Sequence, residues 1–228
     1  NTVAGNAMDF GGRQGGVDNL DVAYVGTGSG LVYVRTTSGG SFSSTSTGGS
    51  TIRDVVMDTS DWARAFAIDN NQVFLTSTSG GTWSDITGNL LSIGASELRS
   101  LAYVTGAASA IVAGTNFGVF ASLASSLGSW FQVGLGLPNV NVFDMDYDAG
   151  DDVLVAGTMG RGAWTLSNAS DHISGIIGTT NVKIDSTNLV VEDLSDAPDE
   201  LTIKSDTSGA GRFIIHDPNK IITDSTGA

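Results

Sequence analysis

The chain contains no cysteine, only three prolines and, over its first 166 residues, no lysine. Without cysteine there is no disulfide framework, no thiolate metal site and no cysteine nucleophile. Ten basic residues stand against 24 acidic ones, a formal charge of −14. The clustered lysines and arginines that release counterions from a nucleic-acid backbone are therefore missing, and an anionic membrane surface is disfavoured for the same reason. No apolar run approaches the roughly 18 residues of a membrane-spanning helix, so no membrane insertion is expected. HExxH and Gly-rich phosphate-loop patterns are absent as well. The two histidines, His172 and His216, lie away from any serine nucleophile elbow and read as surface residues.

What the chain does have is a repeat of 41 to 46 residues. Its marker is a Gly-Gly or Gly-Ser turn followed by an aromatic residue: Ser38-Gly39-Gly40-Ser41-Phe42, Ser79-Gly80-Gly81-Thr82-Trp83 and Leu127-Gly128-Ser129-Trp130. Before each marker runs a short apolar strand whose aromatic recurs in step, as Tyr33, Phe74, Phe120 and Trp164. Upstream of that strand lies another, AYVGT (23–27), RAFAID (64–69), AIVAGT (110–115) and VLVAGT (153–158). A further element completes the unit: NAMDF (6–10), TIRDVVMD (51–58), ELRSLAYV (97–104) and NVFDMDYD (141–148). Short alternating strands at this period are the pattern of β-propeller blades, because one four-stranded sheet cannot bury both of its faces alone.

The fold class expected is thus all-β: about four four-stranded blades, followed by a small antiparallel β module. Composition places the change near residues 167–171. Residues 1–166 hold all four Trp, all four Tyr, eight of nine Phe and 26 of 31 Gly, whereas Lys183, Lys204 and Lys220 appear only later. The blades are expected at about 1–48, 49–95, 96–138 and 139–166, and the β-rich module at 167–228, truncated or paired with a partner. No fourth strand is expected after Leu166. Four blades point to a segment of a larger propeller, to chains that pool their blades, or to a small four-bladed ring. Trp62, outside the aromatic register, is the one Trp expected near the surface.

The stretch Ser77-Thr78-Ser79-Gly80-Gly81-Thr82-Trp83 resembles the Asp-box turn, S-x-D-x-G-x-T-W, of sialidase-like and sortilin-like propellers. Thr36 to Phe42 is a weaker copy and Ala124 to Trp130 weaker still. The resemblance implies a folding device at the blade rim, with Ser38 and Ser79 where the family has Asp and a Ser hydroxyl bonding the turn's amides. Residues 137–166 look like the last blade of large bacterial extracellular propellers. The tail resembles β modules of bacterial surface proteins.

Asp144, Asp146 and Asp148 alternate along one strand, with Asp151 and Asp152 behind them. A period of two places the first three on one face, a candidate Ca²⁺ site if carbonyls complete the oxygen shell; otherwise Asp148 and Asp151 cap a turn. No other cofactor is expected. Glycoside hydrolysis needs two carboxylates across the scissile bond, and the Asp-box group includes xyloglucan-cleaving endoglucanases and sialidases, but no Asp here maps onto their catalytic positions. A sialidase-like arginine triad fails as well: Arg53 and Arg99 repeat, and Phe143 takes the third place. The function expected is a non-enzymatic, secreted or cell-surface structural or binding module. Its partners would be other blades, subunits or domains of one assembly, or glycans. The alternative is a carbohydrate-active enzyme or non-cleaving glycan-binding module of the Asp-box group.

Overall fold

Apolar and polar residues alternate in short runs that Gly, Asn and Asp turns interrupt, which dictates short antiparallel strands. A computed structural model of the chain describes residues 5–134 and 139–175 in full, and the backbone of 179–185, 188–193, 202–205, 213–216 and 221–224. The chain divides into two compact units, Asn1–Ser170 and Asp171–Ala228.

In the first unit, β1 (Ala7–Phe10), β4 (Ala23–Gly26), β5 (Leu31–Arg35) and β6 (Ser43–Ser46) form one antiparallel sheet in that order, and β2 (Arg13–Gln14) and β3 (Val17–Asp18) form a separate ribbon. The second sheet runs β7 (Asp54–Asp58), β8 (Asp61–Ile68), β9 (Val73–Thr76), β10 (Ser84–Asp85), and the third β11 (Leu98–Val104), β12 (Ala110–Thr115), β13 (Gly118–Leu123), β14 (Trp130–Val133). Among the described residues the fourth has three strands, β15 (Val142–Asp148), β16 (Val153–Thr158) and β17 (Gly162–Ser167). The first strands of successive sheets, β1, β7, β11 and β15, lie side by side in chain order.

Packing between sheets explains the near-continuous apolar runs. In β8, Ala65 and Ala67 join Tyr24, Val32 and Val34 of the first sheet, whereas Phe66 and Ile68 join Leu101, Tyr103 and Phe120 of the third. A sheet covered on both faces needs apolar residues at both phases of the pleat, and every residue of β12 is buried. Burying a side chain such as Phe66 contributes about 1.5–3 kcal/mol. Tyrosine hydroxyls peg neighbouring sheets together. Tyr24 donates to the Trp62 carbonyl at 2.9 Å and Tyr103 to Asp58 Oδ2 at 2.8 Å, and the Tyr147 hydroxyl lies 3.0 Å from the Thr105 carbonyl.

In the second unit, β18 (Thr179–Asp185) pairs antiparallel with β19 (Asn188–Asp193), and β20 (Thr202–Ser205) with β21 (Phe213–His216). The expectation of a wholly antiparallel module needs correction, because β18 and β22 (Ile221–Asp224) run parallel; a long intervening connection permits that direction. A helix, α1 (Ala169–Gly175), and a 3₁₀ turn, Leu90–Ile93, were not expected. Both are too short to show a helical period.

Candidate functional site

The side-by-side first strands carry a row of acidic residues at one repeat position: Asp9 on β1, Asp54 on β7 and Asp144 on β15, with Ser100 in the third copy. Each Asp turns an oxygen back onto the next residue's amide, at 2.8 Å for Phe10, 2.8 Å for Val55 and 3.0 Å for Met145. In Asp9 and Asp54 the second oxygen reaches the following sheet, taking the Met57 amide at 2.7 Å and the Leu101 amide at 2.7 Å. Burial pushes the Asp54 carboxyl up to about 6, the Leu101 and Val55 amides pull it down, and the charges of Asp144 and Asp9 push it further up. Asp9 is raised for the same leading reason, burial. Ser100 is too short to bridge, and its buried hydroxyl has no hydrogen-bond partner among the described residues. A carboxyl of raised pKa is what general acid catalysis uses. In Asp54, however, both oxygens are committed to peptide amides, a blade-to-blade tie rather than a group aimed at substrate.

Beside this row, β11 and β15 each slip register at one residue, Arg99 and Phe143. Such bulges re-aim side chains, and here the Arg99 guanidinium lies 4.5 Å over the Phe143 ring. Arg53, just before β7, donates to the Leu98 carbonyl at 3.1 Å. The repeated arginines thus reach from one sheet to the next.

The five candidate calcium carboxylates take separate positions. Asp144, Asp146 and Asp148 share the exposed side of β15. Asp148 closes the β15–β16 turn by accepting the Gly150 amide at 2.7 Å and the Asp151 amide at 3.3 Å, while Asp151 itself is exposed. Asp152 sits at φ 51° and accepts the Ser170 amide and hydroxyl and the Tyr147 hydroxyl. Among the described residues no three acidic or histidine groups converge as a metal-holding cluster.

At the marker turns, the expectation that serine hydroxyls bond the turn amides is corrected. Around Ser79, Gly80 and Gly81 the acceptors are Thr76 Oγ1, which takes the Thr78 and Gly80 amides, and Thr78 Oγ1, which takes the Thr82 amide. Ser79 instead supplies a left-handed φ of 53°. A Cβ on Gly80 would run into Val34 of the first sheet, so that glycine permits the close approach. In the first copy Gly39 has φ 66°, the Gly40 amide bonds the Thr37 carbonyl, and Phe42 lies under the Arg35 guanidinium. In the third copy the turn clamps the previous sheet. Trp130 donates its indole N–H to the Ile86 carbonyl at 3.1 Å and its backbone N–H to Asn89 Oδ1, and Asn89 donates back to the Trp130 carbonyl at 3.0 Å. Trp83 in the second copy is half-buried against the first core cluster.

The expectation that Trp62 is the one tryptophan near the surface is corrected by a second, more exposed one. Trp62 is half-buried against the first core cluster, whereas Trp164 is 38% exposed. Trp164 borders a cleft of about 290 Å³ between the third and fourth sheets, lined by Val119, Val133, Leu154, Ala156 and Leu166. The aromatic register signalled all four equivalent rings but not that the last stays exposed.

No family model matches the chain, and no curated protein does. Among solved structures, one titled as an ancestral GH74 enzyme resembles it with a TM-score of 0.56 and 15% sequence identity. The match covers 93% of this chain and 32% of that one, so the chain spans about a third of that enzyme's length. The sheets of this chain are propeller blades. At that identity the likeness concerns fold alone.

Proposed function

We propose that this chain is a non-enzymatic blade segment that packs against further blades or subunits in a larger protein or assembly outside the cell. The observation that carries this reading is the pair of open end faces on the row of sheets. On β1, Ala7 packs into the first core cluster and Asp9 bonds to β7, so the alternate residues Met8 and Phe10 point the other way, 62% and 70% exposed. On β16, Leu154 and Ala156 are buried while Val155, at the opposite phase, is 37% exposed. Apolar faces of this kind mark interaction surfaces, and in a propeller their usual cover is another blade. The extracellular setting is supported by the lysine-free, acidic composition of the blades.

A second reading, a glycan-cleaving or glycan-binding propeller, draws on the likeness to a GH74 glycoside hydrolase and on the exposed Trp164 ring. It is disfavoured by the amide bonds that occupy Asp9 and Asp54. Light scattering on the native particle, combined with the intact mass of its chain, tests the choice. A particle several times heavier than 23.3 kDa is the expected result. A 23.3 kDa monomer that releases reducing sugar from a β-glucan would overturn it.

A further inference from the structure

The first three sheets each end in a fourth strand, β6 on β5, β10 on β9 and β14 on β13, whereas β17 is the last strand of the fourth sheet among the described residues. We infer that the β17 edge, with the apolar cleft beside it, takes by strand addition an extended segment of another polypeptide that bears a tryptophan. This deepens the proposed function by giving the chemistry of one neighbour.

The repeat itself supplies the geometry. Phe120 pairs with Ala113 of its sheet and Trp164 with Ala156 of its own, so Trp164 takes the place of Phe120, and Leu166, two residues on, the place of Ser122. In the third sheet Trp130 stands opposite Ser122, and Gln132 opposite Phe120. Residues opposite one another on paired strands share a face, so Trp130 and Phe120 both turn towards the second sheet, where they join one core cluster and Trp130 is 3% exposed. An incoming residue opposite Leu166 would occupy the same station in the fourth sheet.

Beneath Trp130 lies Ile86, three residues after Trp83, whose carbonyl accepts the indole N–H. Three residues after Trp130 stands Val133, which lines the cleft. The site that an incoming indole would meet is therefore the counterpart of the one that Trp130 already fills. Space permits it, since an apolar cavity of about 150 Å³ already admits benzene and this cleft measures about 290 Å³. In strand addition, backbone hydrogen bonds provide affinity and side-chain pockets provide selectivity. An uncovered edge is a surface that proteins normally pair or protect.

The probe is a fluorescein-labelled peptide with the sequence of residues 127–134, LGSWFQVG, titrated into the full chain by anisotropy. Amide hydrogen exchange is read in parallel over Gly162–Ser167. Binding is expected, together with slowed exchange confined to β17 and its cleft. A peptide carrying Trp130→Ala, and a chain carrying Leu166→Lys, should each bind at least about tenfold more weakly, as expected for loss of a central aromatic anchor. Leu20→Asp, 83% exposed just before β4 of the first sheet, should leave binding within about twofold, as expected for a remote substitution. If Leu166→Lys fails to fold, exchange in the unsubstituted chain decides. Unchanged exchange in β17, or equal binding of the Trp130→Ala peptide, would overturn the inference. So would self-association of the chain through β17 without peptide, because a second copy would then be the occupant. A heavy native particle in which β17 stays unprotected would overturn this inference and leave the proposed function standing.

Discussion

The junction between the second and third sheets and the one between the third and fourth are built from the same repeat, yet they end differently. In the first, β14 brings Trp130 over Phe120 and locks it to Ile86 and Asn89. In the second no further strand pairs with β17 among the described residues, and Trp164, the counterpart of Phe120, stays 38% exposed over a cleft. Phe120 is fully buried where a fourth strand brings Trp130 into the same cluster, and Trp164 is exposed where none is described. A repeat is therefore complete only when its outermost strand is present.

Substitutions can break that comparison. All four tryptophans lie in residues 1–166, so tryptophan fluorescence during urea unfolding reports on the first unit. Trp130→Ala should cost about 3–5 kcal/mol, the usual range for deleting a buried Trp. Trp164→Ala should cost less than half as much; equal losses would mean that the two junctions are sealed alike.

Asp58→Ala comes next. Asp58 is 4% exposed and caps its turn through the Ser60 amide, while its other oxygen receives the Tyr103 hydroxyl and lies 3.7 Å from Arg64. Removing it strands a buried hydroxyl and a partly buried guanidinium, a loss of about 2–4 kcal/mol in urea unfolding. The matching cut at the third–fourth junction, Tyr147→Phe, should cost about 0.5–1.5 kcal/mol, the worth of one ordinary hydrogen bond.

A smaller effect is expected from pH. Burial pushes the Asp54 carboxyl up to about 6 in the folded chain, above the ordinary carboxylate range, so the folded state holds the proton more tightly than the unfolded one. Stability should therefore rise as pH falls from 7 through 6 towards 4, and the raised Asp9 adds in the same direction. Asp69 and Asp85 act oppositely. Burial raises each, but the amides of Ser50, Asn71 and Gln72 with the Ser50 hydroxyl outweigh it at Asp69, and Thr87 with Gln72 does so at Asp85. Their contributions are present above about pH 4, near the ordinary carboxylate pKa, and vanish only below it. Urea midpoints between pH 7 and 4.5 should increase, and Asp54→Asn should flatten the slope; an unchanged slope would exclude Asp54 as its source.

The smallest effect belongs to Ser100, which stands where the other copies have Asp. Its hydroxyl is buried without a partner among the described residues, so Ser100→Ala should change stability by no more than about 0.5 kcal/mol, or raise it slightly. A large loss in the same urea assay would reveal a bond that the geometry does not contain.

The strands were legible in the sequence because their alternation is local and turn residues punctuate it. Asp58, Asp69 and Asp148 each accept amides two or three residues ahead, as short polar side chains at turns do. The candidate site was legible only in part. Asp144 was picked out by its alternation with Asp146 and Asp148, but Asp9, between Met8 and Phe10, and Asp54, between Arg53 and Val55, carry no local sign of the bonds they accept from the Met57 and Leu101 amides. The threonines that serve the marker turn escaped for a different reason: Thr76 and Ser79 both have hydroxyls, and backbone direction alone decides which one faces the amides.

The sequence by itself determined the period, the short strands, the turns and the all-β class, since each depends on residues within a few positions of one another. Only the tertiary structure decided which carboxylates tie sheet to sheet, that Trp164 is more exposed than Trp62, and that β18 and β22 run parallel. Those outcomes depend on what a side chain or strand meets some 40 residues away, and a pattern of local spacings does not contain that information.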